Sequence, residues 1–144
     1  MIVLHTNVIS EVFRPTPNPG VLAWPGSFTD EVAITTITLA ELRAGIRRLP
    51  AGARARWSWR SGPRSSHTGV QVHFSYSMMG AAEEYAEVLL AREQAGVPIS
   101  TPDAQIAAIC RAKGAICATR SEKDFAETDV QVLNPWRRRC RDHE

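Results

Sequence analysis

Apolar residues along the chain occur either in short continuous runs or in longer stripes with a helical period. The continuous runs lie at residues 1–5, 32–36, 115–119 and 130–133. Runs this short and this apolar are typical of strands that are buried on both faces, as in a parallel sheet. Between the runs, apolar side chains recur every three or four residues, which predicts amphipathic helices. Strands that alternate with helices predict an α/β fold, a three-layer α/β/α domain with a central parallel sheet.

Polar residues, proline and glycine mark the predicted ends of these helices. Asn7 precedes the first helical pattern and is expected to cap it. A later helix is expected to begin at Pro102, with Ser100 or Thr101 as its cap, and to end at Gly114. The helices therefore have local start and stop signals of their own.

Residues 57–80 do not fit this alternation. The segment contains two Trp, three Gly and six Ser and has no helical period. Only Val70–Phe74 is a candidate strand there. A stretch this long without regular structure is unusual inside a compact domain.

Composition favours one globular domain in a reducing compartment. The 144 residues are 44% apolar and 22% charged, and no apolar run is long enough to span a membrane. Three cysteines without a Cys-x-x-Cys pair argue against a disulfide framework and favour the cytoplasm. We expect a domain over residues 1–136 and a basic tail over residues 137–144.

Positive charge is carried mainly by arginine and is unevenly distributed. Arginine supplies 15 of the 17 basic residues, and seven arginines but no acid lie between Arg43 and Ala82. A second cluster lies in the tail. Because the guanidinium matches phosphate geometry, both clusters fit a phosphate-facing surface, although a solvated face has the same composition.

Four polar side chains are expected at one edge of the sheet. His5 ends the first strand, Glu41 lies one turn into the helix after the second, Asp103 lies in the first turn of the helix at Pro102, and Asp124 follows the strand ending near Thr119. The carboxyl ends of parallel strands meet at one edge, where such folds bind ligands. Three carboxylates and an imidazole there fit a divalent cation such as Mg²⁺ or Mn²⁺.

Each of these residues also has a purely structural interpretation. Thr38 and Glu41 have the spacing of a helix capping box. Asp103 complements a helix dipole, Asp124 suits a surface turn, and His5 suits the edge of a core. Spacing alone leaves both interpretations open.

Four segments, read together, resemble a known family. They are MIVLHTNVISEVFRPTPNPGVLAW, TTITLAELRAGIRRLP, YAEVLLAREQAGVPISTPDAQIAAICRAKGAICATR and DFAETDVQVLNPW. They cover about three-fifths of the chain, and their combination is similar to PIN-domain ribonuclease toxins of the VapC family, in its FitB-like branch. The resemblance implies a PIN-like nuclease domain and Mg²⁺- or Mn²⁺-dependent endonucleolytic cleavage of RNA. It also implies a homodimer and a VapB-type antitoxin whose C-terminal tail occupies the active-site groove.

The resemblance also assigns residues to the site. By this resemblance, the catalytic and metal-binding carboxylates of the family correspond to Glu41, Asp103 and Asp124. Positions associated with substrate fall on the following residues: Thr6, Asn7, Thr119 and Arg120.

The sequence departs from the family pattern at His5, where the family has the metal-binding Asp that ends the first strand. An imidazole supplies one neutral nitrogen in place of a carboxylate, which weakens Mg²⁺ binding more than Mn²⁺ binding. An alternative function is therefore a catalytically impaired PIN-domain protein that only binds antitoxin or RNA.

A second departure lies at residues 57–79, where the family has an apolar strand ending in Phe-Asp. The codons of His73–Gly80, read two bases later, permit Leu-Leu, a further aliphatic residue, and Phe-Asp-Asp-Gly. We hypothesise two compensating frameshifts that flank this segment, which the coding DNA can test.

Overall fold

The computed structural model describes residues 1–24, 31–54, 72–74 and 78–137. One sheet runs through them in the order β3-β2-β1-β4-β5, and every neighbouring pair of strands is parallel. Its strands are β1 (Ile2–Leu4), β2 (Val32–Ile34), β3 (Val72–Phe74), β4 (Ile116–Ala118) and β5 (Val132–Leu133). Each predicted apolar run contains one observed strand, and the candidate run at Val70–Phe74 contains β3. The predicted parallel sheet is confirmed.

Helices cover both faces of this sheet. They are α1 (Thr6–Glu11), α2 (Pro19–Ala23), α3 (Thr36–Arg48), α4 (Ala51–Arg54), α5 (Ala82–Gln94) and α6 (Thr101–Lys113). Successive side chains of a strand point to opposite faces. Ile2 of β1 packs with Val8 of α1 and Val21 of α2, whereas Val3 packs with Val88 of α5 and Ile106 of α6. The three-layer α/β/α architecture is therefore confirmed.

The limits of α6 follow the sequence signals. The Ser100 hydroxyl accepts a hydrogen bond from the backbone N–H of Asp103, and Gly114 ends the helix in the left-handed region at φ 58°. This conformation is costly for residues with a Cβ atom, which explains glycine at this position.

Two expected caps are wrong. Asn7 lies inside α1, whose N-cap position is His5, because β1 ends at Leu4 and the helix begins at once. Thr38 is also inside its helix: α3 is capped by Thr35, whose hydroxyl accepts from the N–H of Thr38. The capping-box interpretation of Thr38 and Glu41 is therefore wrong, and Glu41 needs another explanation.

The unusual segment at 57–80 lies mostly outside the described residues, as does the tail beyond residue 137. Within the described ranges, no helix combines the length and the apolar character that a membrane crossing needs.

Candidate active site

Three consecutive side chains after β1 reach three different elements at the carboxyl edge of the sheet. Nε2 of His5 lies 2.9 Å from Oδ1 of Asp103 on α6. The Thr6 hydroxyl donates to Oε2 of Glu41 on α3 at 2.5 Å. Because β1 is the central strand, its carboxyl end lies within reach of α3, which follows β2 on one side, and of the start of α6, which precedes β4 on the other side. Five of the predicted site residues, counting Asn7 described below, thus meet here.

His5 is buried at 8% exposure and is fixed on both sides of its backbone. Its N–H donates to the carbonyl of Ala118, and its carbonyl accepts from the N–H of Val8. Although it occupies the N-cap position of α1, its side chain forms no capping hydrogen bond and is directed to Asp103 instead. A carboxylate only accepts, so Nε2 carries the proton. Nδ1 is buried and finds no hydrogen-bond partner among the described residues.

Asp103 receives hydrogen bonds on both carboxylate oxygens. Oδ1 faces His5, and Oδ2 accepts from the Ser100 hydroxyl at 2.7 Å. Burial is the largest effect and raises the pKa of Asp103, but the hydrogen bonds from His5 and Ser100, together with electrostatic attraction from His5 and Arg92, outweigh it and hold that pKa below its ordinary value. Asp103 is therefore anionic at neutral pH, as a cation ligand must be.

Asn7 joins β1 to the end of β4. Its amide nitrogen donates to the Thr119 hydroxyl at 3.0 Å and to the Ser121 hydroxyl at 3.3 Å, and its carbonyl oxygen accepts from the backbone N–H of Arg120. The Arg120 side chain is exposed, and its guanidinium lies 5.2 Å from the centre of the Trp136 ring. The four residues predicted to contact substrate, Thr6, Asn7, Thr119 and Arg120, thus lie on one continuous edge.

Asp124 lies beside this cluster rather than in it. It closes the short 3₁₀ turn Glu122–Asp124 and is half-buried. Its neighbour Phe125 meets the cluster directly, with the ring edge-on to His5 at 5.4 Å between centroids. The acid was predicted as a site residue from the sequence, whereas Phe125, which is 2% exposed, was not.

The chemistry of the site fits a divalent cation, with water and substrate completing its ligands. Over the described residues, no group of three or more His, Cys, Asp or Glu side chains could together hold a metal ion. Mg²⁺ commonly binds through one or two carboxylates and keeps several waters. Glu41 and Asp103 are held by adjacent residues, Thr6 and His5, so they provide such a pair.

The family model for the PIN domain matches residues 2–131. Three relatives align over 94% of this chain. A plasmid stability protein, StbB, of Pseudomonas syringae is 40% identical, and the alignment covers 99% of its length. The toxin FitB of Neisseria gonorrhoeae is 35% identical over 99% of its length. The VapC ribonuclease Y4jK of Sinorhizobium fredii is 32% identical over 98% of its length.

A solved structure agrees with these sequence matches. The crystal structure of FitAcB from Neisseria gonorrhoeae superposes with a TM-score of 0.78 at 32% identity, and it covers 96% of this chain and all of the matched one. Similarity therefore extends over the whole fold, including the edge that carries His5 and Asp103.

Proposed function

The chain belongs to the PIN-domain family, and we propose that it is the ribonuclease toxin of a type II toxin–antitoxin pair. The relatives named as a toxin and as a ribonuclease support this function. The observation that carries it is the pair of carboxylates, Glu41 and Asp103, held by Thr6 and His5 at the carboxyl edge of the sheet. Such an edge is where parallel α/β sheets place their ligands.

We propose that Glu41 and Asp103 hold one divalent cation, Mg²⁺ or Mn²⁺, with waters as further ligands. His5 acts on this metal site through its hydrogen bond to Asp103, and Asp124 acts from beside the pair. A divalent cation held at this edge would lower the pKa of a bound water and offset charge on the scissile phosphate. Asp103 contributes a carboxylate that is kept anionic by its hydrogen bonds from His5 and Ser100.

The neighbouring polar residues are proposed to bind the RNA backbone. Thr119 is fully buried and bonded to Asn7, so it holds Asn7 in place, and the half-buried Asn7 supplies a fixed polar group beside the carboxylates. The exposed guanidinium of Arg120 supplies charge for a phosphate, and its place over Trp136 limits the rotamers it must give up on binding. These contacts position RNA without reading its sequence.

We propose that the protein works in the cytoplasm as a homodimer controlled by a VapB-type antitoxin whose C-terminal tail occupies the same groove. Likeness to a chain in the FitAcB structure supports a partner of this kind. Occupation of the edge at Arg120 and Asp103 would exclude RNA directly.

RNA cleavage tests the proposed function. The unaltered chain is expected to cut labelled RNA when Mn²⁺ or Mg²⁺ is present and to stop when EDTA is added. Asp103→Asn is expected to abolish cleavage because it removes the anionic ligand. Asp129→Asn is the matched control, since the Asp129 side chain is 91% exposed and contacts Arg111 rather than the site. Absence of cleavage with either cation would favour the alternative, a PIN-domain protein that only binds antitoxin or RNA.

A further inference from the structure

Arg92 is a buried cation for which the proposed catalytic machinery gives no role. It lies in the last turn of α5 and is 4% exposed. It follows Val88 by four residues, so it shares the helix face that packs into the core. Arginine is almost never this deeply buried unless its donors are bonded.

The Arg92 guanidinium binds backbone carbonyls from two separate segments. Nη1 donates to the carbonyl of Lys123 at 3.1 Å and to that of Ala126 at 2.8 Å. Nη2 donates to the carbonyl of Pro98 at 3.0 Å. Among the described residues these carbonyls are its hydrogen-bond partners, and the buried Nε has none. The side chain therefore joins two stretches of backbone, and its hydrogen bonds among the described residues go to carbonyls and not to a carboxylate.

Both stretches lead directly to the candidate active site. The carbonyls of Lys123 and Ala126 bracket Asp124 and Phe125, and the ring of Phe125 lies edge-on to His5. Pro98 precedes Ser100 by two residues, and Ser100 bonds Asp103. A shift of either segment would displace the side chains that contact His5 and Asp103.

The loop around Phe125 does not hold its shape by local preference. Glu127 and Asp129 both have φ of 56°, a region that is unfavourable for residues with a Cβ atom. The Thr128 hydroxyl between them donates to the carbonyl of Phe125 at 2.6 Å. Such backbone persists only where surrounding contacts determine it, and Arg92 supplies two of those contacts.

We propose that Arg92 is a positioning residue of the active site, which fixes the Asp124–Phe125 segment against His5 and ties it to the start of α6. This inference rests on the proposed ribonuclease function. Loss of the guanidinium leaves three carbonyls without their donors and frees the segment to move. Displacement of a site by about 1 Å can cost about a hundredfold in rate.

Two variants of Arg92 and one control separate positioning from stability. Arg92→Gln removes the positive charge and the branched guanidinium. Arg92→Lys keeps the charge, but its single nitrogen cannot reach both segments. The control is Arg111→Gln. Arg111 is a half-buried arginine that bonds Glu84 and reaches the carbonyl of Thr128, at the far end of the same loop.

The readouts are thermal stability, amide hydrogen exchange over residues 123–126, the NMR signal of the His5 ring, and kcat and KM for RNA. Arg92→Gln is expected to lower kcat by about tenfold to a hundredfold with little change in KM, to speed exchange over 123–126 and to shift the His5 signal. Arg92→Lys is expected to show smaller changes of the same sign. Arg111→Gln is expected to lose stability while kcat and the His5 signal stay at their unaltered values.

Unaltered exchange, His5 signal and kcat in Arg92→Lys and Arg92→Gln would overturn the proposal, as would an equal loss of kcat in the Arg111 control. Should Arg92→Gln fail to fold, Arg92→Lys decides by the same measures. Should the unaltered chain fail to cut RNA, the proposed function fails, whereas exchange over 123–126 and the His5 signal still decide whether Arg92 positions the segment.

Discussion

At the scale of single residues, His5 leaves the site with one carboxylate fewer than the family resemblance implies. The family resemblance places a carboxylate at the end of β1, and this chain has an imidazole whose Nε2 lies 2.9 Å from Asp103. The hydrogen bond between His5 and Asp103 therefore stabilises this pair. Two carboxylates at this distance would repel each other unless a cation lay between them.

Replacement of His5 tests this difference. His5→Asp is expected to lower thermal stability in EDTA, because the new carboxylate faces Asp103. It is also expected to raise Mg²⁺ affinity by about tenfold to a hundredfold and to increase RNA cleavage together with it. Calorimetric Mg²⁺ titration, melting curves with and without Mg²⁺, and a cleavage assay measure these effects.

The double variant provides the control for His5→Asp. Adding Asp103→Asn is expected to remove the gains in both affinity and cleavage, since the cation then loses the Asp103 carboxylate that faces the new one. Strong Mg²⁺-dependent cleavage by the unaltered chain would show that His5 is either a competent ligand or a bystander. No gain in His5→Asp would indicate that residue 5 does not limit Mg²⁺ binding or RNA cleavage.

At the scale of single elements, α6 connects local sequence signals with the site. Ser100 and Asp103 exchange hydrogen bonds at the start of the helix: the hydroxyl accepts from the Asp103 N–H and donates to its carboxylate. The same interaction that caps the helix orients the carboxylate toward His5. At the other end, Gly114 lets the chain turn into β4 at Ile116.

Two glycine-to-alanine substitutions are expected to have opposite effects. Gly114→Ala should destabilise the fold by about 1 kcal/mol, because φ is 58° there, although no described residue beyond its chain neighbours and its own helix lies within 4 Å of the added Cβ. Gly45→Ala, in the middle of α3 and equally open, should stabilise by roughly 0.5–1 kcal/mol. Urea unfolding curves measure both effects. A change in the free energy of unfolding in the same direction for both variants would contradict this prediction.

At the scale of the whole molecule, a buried carboxylate links the first two helices and makes stability depend on pH. Glu11 is 4% exposed, and its Oε1 accepts from the backbone N–H of Asn18, the residue that caps α2. That backbone hydrogen bond holds the pKa of Glu11 below its ordinary value of 4.5, against the opposing effect of burial, with a further contribution from Arg14.

Because the folded pKa of Glu11 is lowered, its ionised form contributes stability at neutral pH. This contribution is present above about pH 4.5 and is lost as the pH falls through the folded pKa. Glu11→Gln keeps an acceptor for Asn18 but no charge. The stability difference between the unaltered chain and this variant is therefore expected to be constant near neutral pH and to shrink in acid. Chemical unfolding across pH measures it, and a difference that grows in acid would show that the sign is wrong.

The sequence by itself determined the elements of this protein and the identity of its candidate acids. Apolar runs and helical stripes located the strands and helices. A strand buried on both faces needs a continuous apolar run, and a helix buried on one face needs an apolar residue every three or four positions. Ser100 and Gly114 fixed the ends of α6, because capping depends on residues only a few positions apart.

Only the tertiary structure decided which partner each polar side chain bonds. His5 occupies a cap position yet bonds Asp103, 98 residues away, and Asn7 bonds Thr119 instead of capping α1. Arg92 has the spacing of a core residue, but its carbonyl partners lie on two loops. A polar side chain can bond either its own backbone or a distant group at similar free energy. How the elements pack brings one of these partners within 3 Å, and no local pattern contains that information.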